Sequence, residues 1–235
     1  MKKLLLICLA AFAAASCTQE KQQSKPLYMW FDCEGNYATL SHPDSIRYYV
    51  SKIHDMGFTD VVVDVKSIMG ETLYKSDIAP YMGEWDGVTR PENYDLLGYF
   101  IEEGHKLGMR VHGSLNVFAG GHNFFDRGII YGDHADWQSQ VYTEGKIVPI
   151  SEIKSNYNGM LNPANPEVQE YELAILREFA EKYPDVDGIV FDRVRFDNIT
   201  SDFSPLSKEL FEAYAGTKVA NYPDDILLSL IHISE

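Results

Sequence analysis

Short apolar runs alternate with segments that have the apolar spacing of helices, and this alternation constrains the fold more than any other feature. The run TDVVVDVK (59–66) is nearly all apolar and β-branched, which is typical of a parallel strand covered on both faces. The pair Asn165-Pro166 supplies a cap residue followed by proline at the first helical position. The pattern predicts strands at 27–31, 59–66, 109–118 and 186–192, and helices over 44–57, 94–108, 165–183 and 204–216.

Four consecutive strand–helix units predict a parallel α/β fold. A barrel and a doubly wound sheet both fit this count, but no G-x-G-x-x-G follows the first strand, which removes the main support for a dinucleotide-binding sheet. Barrel enzymes place their sites at the carboxyl ends of the strands. Polar residues occur there in all four units, namely Asp32, Asp64, Lys66, His112, Asn116 and Asp192. We therefore predict a (β/α)₈ barrel of the TIM type, with about the first four βα units present.

The strongest local signal is VDGIVFDRVRF (186–196), an apolar strand that ends at Asp192 with Arg195 three residues further on. A nearby guanidinium keeps a carboxylate ionised and oriented, as a nucleophile or a charge stabiliser requires. A purely structural Asp–Arg pair is the alternative. We assign Asp192 as the candidate catalytic residue and Arg195 as a candidate substrate-binding residue.

Two further pairs are candidates for substrate binding. His112 and Asn116 lie four apart on one predicted strand, so they share a face at about 13 Å and would bind different parts of an extended ligand unless Asn116 lies in the turn. A hydrogen-bonded core histidine is the alternative. Strand alternation places Asp64 and Lys66 on one face at the barrel mouth, where a buried ion pair is the alternative. Asp32 joins these candidates.

The segment 119–160 reads as a long irregular insertion after the third strand, which predicts a lid or the wall of a subsite. Four of its aromatic side chains would stack on sugar rings, or else form a small core cluster: Phe124, Phe125, Tyr131 and Trp137.

The same segment holds groups that ligate divalent metals: His122, Asp126, Asp133, His134 and Asp136. Their spacing matches no closed metal site, and we expect neither a metal nor another cofactor.

Charge and composition argue against three classes of protein. The 20 Lys and Arg residues against 35 Asp and Glu give a net charge of -15, which opposes binding to nucleic acid and electrostatic attachment to an anionic bilayer. A charged fraction of 23% with 13% aromatic residues does not fit a disordered chain. The aromatic content fits either core packing or a sugar-stacking cleft.

The amino terminus has the pattern of an export signal. Lys2 and Lys3 precede a short apolar run that ends in small residues directly before Cys17, as in a bacterial lipoprotein signal. The run is shorter than the roughly 20 residues of a membrane span. We predict a signal peptide at 1–16, lipidation of Cys17, a tether at 17–26 and a cell-envelope location, with the lipid as the only membrane attachment.

The blocks GFTDVVVDVKSIMGETLYKSDIAPY, GMRVHGSLN, MLNPANPEVQEY and VDGIVFDRVRF resemble those of the glycosyl hydrolase-like 10 family, over about residues 27–226. Members of that family are often envelope lipoproteins and are similar to the α-amylase superfamily of (β/α)₈ barrels. The resemblance implies that Asp192 stands where α-amylases carry their nucleophile, followed by Arg195, with His112 and Asn116 as a strand-three pair. Val190 occupies the position at which the α-amylase pattern has an arginine.

The resemblance also implies an acid/base glutamate on a fifth strand, which this chain does not reach. A complete barrel takes about 250 residues, and the tail LLSLIHISE (227–235) does not read as family sequence. We therefore expect residues 27–226 to be the amino-terminal half of a barrel, inactive alone and followed by a non-native tail at 227–235.

Two functions follow as hypotheses. The first is hydrolysis of O-glycosidic bonds in an envelope or extracellular saccharide, with Asp192 as nucleophile or stabiliser. The second is a non-catalytic surface glycan-binding lipoprotein. A metal-dependent hydrolase is a third, weaker option.

Overall fold

The computed structural model describes residues 25–32 and 34–227. The predicted signal peptide, the lipidation site Cys17, most of the tether and all but the first residue of the predicted tail lie outside these residues.

The described strands are β1 (Tyr28–Phe31), β2 (Asp60–Lys66), β3 (Glu84–Trp85), β4 (Val88–Thr89), β5 (Arg110–Asn116), β6 (Ala119–His122), β7 (Gln140–Thr143), β8 (Lys146–Pro149), β9 (Asn158–Met160) and β10 (Gly188–Asp192). The described α-helices are α1 (Pro43–Asp55), α2 (Leu96–Lys106), α3 (Pro166–Lys182) and α4 (Pro205–Ala215).

A four-stranded parallel sheet in the order β1-β2-β5-β10 forms the centre of the described chain. Each of these strands and each of the four helices falls within a few residues of its predicted position. The parallel α/β fold is therefore confirmed. Strands β1 and β10 lie at the two edges of this sheet among the described residues, so closure into a barrel stays a prediction.

The helix starts are explained by local hydrogen bonds. The side chain of Asn165 accepts from the backbone N–H of Glu167 at 2.9 Å, and Pro166 begins α3. Ser204 caps α4 in the same way by accepting from the backbone of Ser207 at 3.2 Å. These caps satisfy N–H groups that have no partner within a helix, which is why the sequence predicted the starts of both helices.

Helices α1, α2 and α3 pack on one face of the sheet and form the core with its apolar residues. The rings of Phe31 and Phe100 lie 4.9 Å apart where β1 meets α2. Gly113 lets α3 approach β5 closely, because a Cβ at this position would collide with the ring of Phe179. The opposite face of the sheet carries the polar residues of the candidate site.

A β-bulge in β2 changes the direction of one predicted site residue. The pairing of β2 with β5 shifts register between Asp64 and Lys66, so Val65 is an extra residue. The expectation that Asp64 and Lys66 share a face is wrong, since strict alternation holds only in a regular strand. Lys66 consequently lies on the face of the sheet that packs against α3.

The insertion 119–160 is more regular than predicted. Strands β6 and β9 pair antiparallel, and β7 and β8 form a hairpin whose turn residues Glu144 and Gly145 both have positive φ. A similar hairpin joins β3 and β4. Strands of two to four residues are too short to show an alternating pattern, so the sequence did not reveal them.

None of the helices in residues 25–32 and 34–227 is long and apolar enough to cross a membrane.

Candidate active site

The candidate site lies at the carboxyl edge of the sheet. Asp32 follows β1, Asp64 lies near the end of β2, and Asp192 ends β10 in register with Asn116 of β5. Because the strands are parallel, their carboxyl ends meet at one edge, as predicted. A fourth acid, Glu34, folds into the same place. We call Asp32, Glu34, Asp64 and Asp192 the carboxylate cluster.

Glu34 is brought into the cluster by a tight turn. Oδ1 of Asp32 accepts hydrogen bonds from the backbone N–H groups of Glu34 and Gly35, each at 2.9 Å. Oε1 of Glu34 accepts from the backbone N–H of Ile68 at 2.8 Å. Burial raises the pKa of Glu34 to about 7, with the charges of Asp32 and Asp64 adding to the effect and the Ile68 hydrogen bond and Arg193 opposing it.

Asp64 is held by the indole of Trp30, whose Nε1 donates to Oδ1 at 2.8 Å. Burial raises the pKa of Asp64 to about 6, and the nearby charges of Asp32 and Asp192 act in the same direction. Trp30 and Ser114 oppose this rise by stabilising the ionised carboxylate. Two acids of the cluster therefore change protonation close to neutral pH.

Arg193 connects three elements of the site. Its backbone N–H donates to Oδ1 of Asp192 at 2.7 Å, its Nε to Oδ1 of Asn116 at 2.9 Å, and its Nη2 to the hydroxyl of Tyr157 at 3.0 Å. The backbone of Arg193 has a φ of 54°, in the left-handed region that residues other than glycine rarely adopt. Such backbone strain costs about 1–3 kcal/mol and clusters at functional sites. The strained backbone directs the guanidinium toward Asn116 and Tyr157.

The arrangement is suited to acid–base chemistry. A site that combines protonated and ionised carboxyl groups near neutral pH can donate a proton and supply a negative charge in the same reaction. Asn116 and the guanidinium of Arg193 add polar groups at the same edge of the sheet. No other place among the described residues unites this many of the predicted residues.

Lys66 is not part of this cluster. It has no exposed surface, and its Nζ donates to the backbone carbonyls of Asn116, Val117 and Ala119 at 2.8–3.2 Å and to Oε1 of Glu172 at 3.0 Å. A substrate-binding role does not fit a side chain without solvent access. Lys66 instead fixes the turn after β5, and the side chain of Asn116 returns a hydrogen bond of 2.8 Å to the Lys66 carbonyl.

His112 lies near the amino end of β5, so its expected place at the carboxyl edge is wrong. Its Nε2 is hydrogen-bonded to Oδ1 of the fully buried Asp60 at 2.8 Å, and its ring lies 5.6 Å from that of Tyr28. Burial disfavours the charge of Asp60, but hydrogen bonds from Thr59, His112 and Arg110 outweigh it and keep the Asp60 pKa below its usual range. His112 therefore corresponds to the alternative of a hydrogen-bonded histidine.

Arg195 turns away from the expected pairing with Asp192. Its Nη1 donates to the backbone carbonyls of Phe196 and Asp197, which lie in its own loop. The guanidinium that reaches the site belongs to Arg193, because the chain turns sharply directly after β10. Arg193 and Arg195 both lie within three residues of Asp192, and their positions in the sequence do not show which of them faces the carboxylate.

Trp137 is buried, with 8% of its surface exposed, and does not offer a stacking face. Its ring stacks on His134 at 3.6 Å and lies 5.2 Å from Tyr171, and its Nε1 donates to Glu167 at 3.1 Å. Trp137 packs the insertion against α3, as expected for the alternative in which it belongs to a small core cluster. Phe124 and Phe125, by contrast, are 58% and 60% exposed.

The residues considered as metal ligands in the insertion do not converge. Asp126 pairs with Lys154, His134 stacks on Trp137, and His122 lies among aromatic rings. In the described part of the chain, no three His, Cys, Asp or Glu side chains are grouped in a way that would hold a metal ion.

Glu34, Arg193 and Tyr157 belong to the site but are not among the residues that the sequence predicts for it. Glu34 follows the end of a predicted strand by three residues and Arg193 by one, and this adjacency was the available signal. Tyr157 lies in the insertion, and nothing in its local sequence links it to Asp192.

Comparison with known proteins now places the chain in a family. The sequence profile described as glycosyl hydrolase-like 10 matches residues 29–230. The chain belongs to this family. Membership in glycosyl hydrolase-like 10 supports a carbohydrate-related function, in agreement with the carboxylate cluster at the sheet edge.

Two relatives share substantial sequence with this glycosyl hydrolase-like 10 chain. An S-layer-related protein of Niallia circulans is 32% identical over 86% of this chain. The glycosyl hydrolase DigH of Escherichia coli (strain K12) is 29% identical over 58% of it. The matched regions span 13% and 31% of the lengths of these two proteins.

Solved structures support the fold. A hypothetical protein of Ruminiclostridium thermocellum ATCC 27405 has a TM-score of 0.52 at 20% identity, covering 83% of this chain and 95% of that one. The α-L-fucosidase isoenzyme 2 of Paenibacillus thiaminolyticus has a TM-score of 0.58 at 15% identity, covering 86% of this chain and 28% of that one. At these identities the likeness shows the fold alone.

Proposed function

We propose that the protein hydrolyses O-glycosidic bonds of an envelope or extracellular saccharide on a (β/α)₈-barrel scaffold. The observation that carries the proposal is the carboxylate cluster, in which Glu34 and Asp64 have pKa values of about 7 and 6 beside Asp192. Glycoside hydrolysis uses two carboxyl groups in different protonation states. Family membership supports the same chemistry.

In the proposed reaction Glu34 is the proton donor, in place of the fifth-strand glutamate that the resemblance implies. Its Oε1 is engaged by the backbone of Ile68, which leaves Oε2 to carry the proton. As the glycosidic C–O bond breaks, the leaving oxygen takes this proton, and Asp192 acts as nucleophile or stabilises the positive charge on the sugar. Water then supplies a hydroxyl to the anomeric carbon and returns a proton to Glu34; where Asp192 has acted as nucleophile, its bond to that carbon breaks in this step and frees the carboxylate.

The pH dependence of Glu34→Gln tests this assignment in the complete gene product. Because the donor must be protonated, the rate of hydrolysis by the wild type should fall as the pH rises through about 7, the raised pKa of Glu34. The variant should lose about 10²–10⁴-fold in rate and lack this alkaline limb. In aryl glycosides whose leaving group is an acidic phenol, that group departs without being protonated. The variant should therefore hydrolyse these substrates at a rate much closer to that of the wild type. Release of reducing ends and of the phenol are the measurements.

Glu102→Gln is the matched control, since Glu102 is an exposed glutamate on α2. It should retain wild-type rates and pH dependence. An unchanged alkaline limb in Glu34→Gln would assign the proton transfer to another group. Retention of glycans by the wild type without release of reducing ends at any pH would favour the non-catalytic glycan-binding function instead.

We also propose that the protein is an exported lipoprotein anchored through Cys17. The support is the sequence of residues 1–17, with its lysines, short apolar run and small residues before the cysteine. Cells fed labelled palmitate should incorporate the label into the wild type but not into Cys17→Ala. Equal labelling of both proteins, or of neither, would contradict the anchor.

A further inference from the structure

A row of aromatic side chains lies on the insertion, on the strands β6 and β9 and beside the hairpin of β3 and β4. Phe125 lies 4.5 Å from the ring of His122 and 5.3 Å from Trp85, while Tyr157 lies 5.7 Å from His122 and 6.3 Å from Phe124. We call Trp85, His122, Phe124, Phe125 and Tyr157 the aromatic surface. Its outer members are solvent-exposed: Phe124 by 58%, Phe125 by 60% and Tyr157 by 41%.

This aromatic surface is continuous with the carboxylate cluster. The hydroxyl of Tyr157 accepts from Arg193, whose guanidinium lies 5.7 Å from the Tyr157 ring centre. Arg193 in turn contacts Asn116 and Asp192. Arg193, Tyr157 and Phe124 therefore form a series of adjacent residues that leads away from Asp192.

Backbone and side-chain hydrogen bonds hold the aromatic surface in a fixed position relative to the site. His122 pairs with Asn158 across β6 and β9, and the backbone N–H of Asn123 donates to the carbonyl of Tyr157 at 2.7 Å. Asp197, in the loop after β10, accepts from the side chains of Asn156 and Asn158 at 2.9 and 3.0 Å. The loop that carries Arg193 is thus tied to the strand beside Tyr157.

Exposed phenylalanines in such an arrangement point to a ligand. A core cluster would bury these rings, as happens to Trp137 in the same insertion, whereas adjacent exposed rings that extend from a polar cleft are typical of binding surfaces. The C–H faces of sugar rings are apolar and stack on aromatic rings, and their hydroxyl groups remain free for solvent or polar side chains.

We propose that the aromatic surface binds successive sugar rings of a saccharide chain whose scissile bond lies at the carboxylate cluster, so that the substrate is a long oligosaccharide or polysaccharide rather than a single glycoside. The location of the scissile bond rests on the proposed function, whereas the binding of the chain does not. A single sugar ring bound at Asp192 would not reach Phe124, because Tyr157 lies between Arg193 and Phe124.

The test measures binding by the complete gene product independently of hydrolysis. Native gels containing hydroxyethyl cellulose, glycol chitin, a β-1,3-glucan, soluble starch or galactomannan report retardation by each polysaccharide. Oligosaccharides of two and six rings from the glycan that retards the wild type most are then titrated by calorimetry. Removing a stacked phenyl ring should weaken binding of the six-ring ligand about tenfold in Phe124→Ala or Phe125→Ala, and the loss should be smaller for the two-ring ligand.

Tyr48→Ala is the matched control, because Tyr48 on α1 is also 58% exposed and lies outside the aromatic surface. It should bind both ligands as the wild type does. Equal affinities in Phe124→Ala, Phe125→Ala and Tyr48→Ala, or a wild type that none of the five polysaccharides retards, would overturn the inference. Length-dependent binding without hydrolysis would leave the inference standing and remove the hydrolase function.

Discussion

The Asp192→Asn variant of the complete gene product is expected to lose about 10⁴-fold or more in turnover while keeping its fold and its affinity for the glycan. The magnitude is that of removing one member of a catalytic set in well-studied hydrolases. Asparagine has the size of aspartate, and its side-chain oxygen can still accept the 2.7 Å hydrogen bond from the backbone of Arg193. The substitution therefore removes negative charge and little else. Release of reducing ends, circular dichroism and calorimetric binding are the three measurements.

Asp187→Asn provides a control from the same region of the chain. Asp187 precedes β10 at its amino end, where it accepts from the backbone of Val111 and pairs with His105, each at 2.8 Å. We expect this variant to lose some stability but to retain turnover at temperatures at which it is folded. Turnover by Asp192→Asn within tenfold of the wild type would refute the catalytic role of Asp192.

The Lys66→Met variant is expected to lose about 3–5 kcal/mol in free energy of unfolding, the cost of leaving one charge of a buried pair without its partner. Burial lowers the pKa of Lys66 and raises that of Glu172 to about 7, while the attraction between them opposes both shifts. Oε2 of Glu172 has no hydrogen-bond partner among the described residues, so Lys66 is the main compensation for the burial of Glu172. Denaturant unfolding followed by tryptophan fluorescence gives the change.

Two further variants separate charge pairing from packing. Lys75→Met breaks an exposed ion pair in which Nζ of Lys75 lies 3.4 Å from Oε2 of Glu92. Its loss should lower the free energy of unfolding by less than about 1 kcal/mol. The double variant Lys66→Met/Glu172→Leu removes both buried charges and should recover much of the loss, because apolar groups can replace a buried pair. A double variant no more stable than Lys66→Met would show that the three backbone carbonyls bonded by Lys66 matter more than Glu172.

Lys66 also links stability to the site. Its Nζ holds the carbonyls of the turn after β5, and Asn116 at that turn positions the guanidinium of Arg193. The residue predicted to bind substrate thus acts on the site from the other face of the sheet. Loss of Lys66 should therefore disturb Arg193 as well as lower stability.

Most of the fold could be predicted because its signals are local. The four strands of the sheet are long enough to show their apolar composition, and caps such as Asn165 and Ser204 mark helix starts within three residues. The short strands of the insertion have no such signal. Their pairing depends on partners up to 41 residues away, as between Ala119 and Met160.

The sequence by itself determined the order of strands and helices, the parallel sheet and the edge at which Asp32, Asp64, Asn116 and Asp192 meet. Only the tertiary structure decided which side chains face that edge. One extra residue in β2 turns Lys66 to the other face, and a left-handed backbone at Arg193 directs that guanidinium to the site in place of Arg195. The physical reason is that strand and helix formation depend on neighbouring residues, whereas the direction of a side chain at a strand end depends on bulges, turns and hydrogen bonds to distant segments.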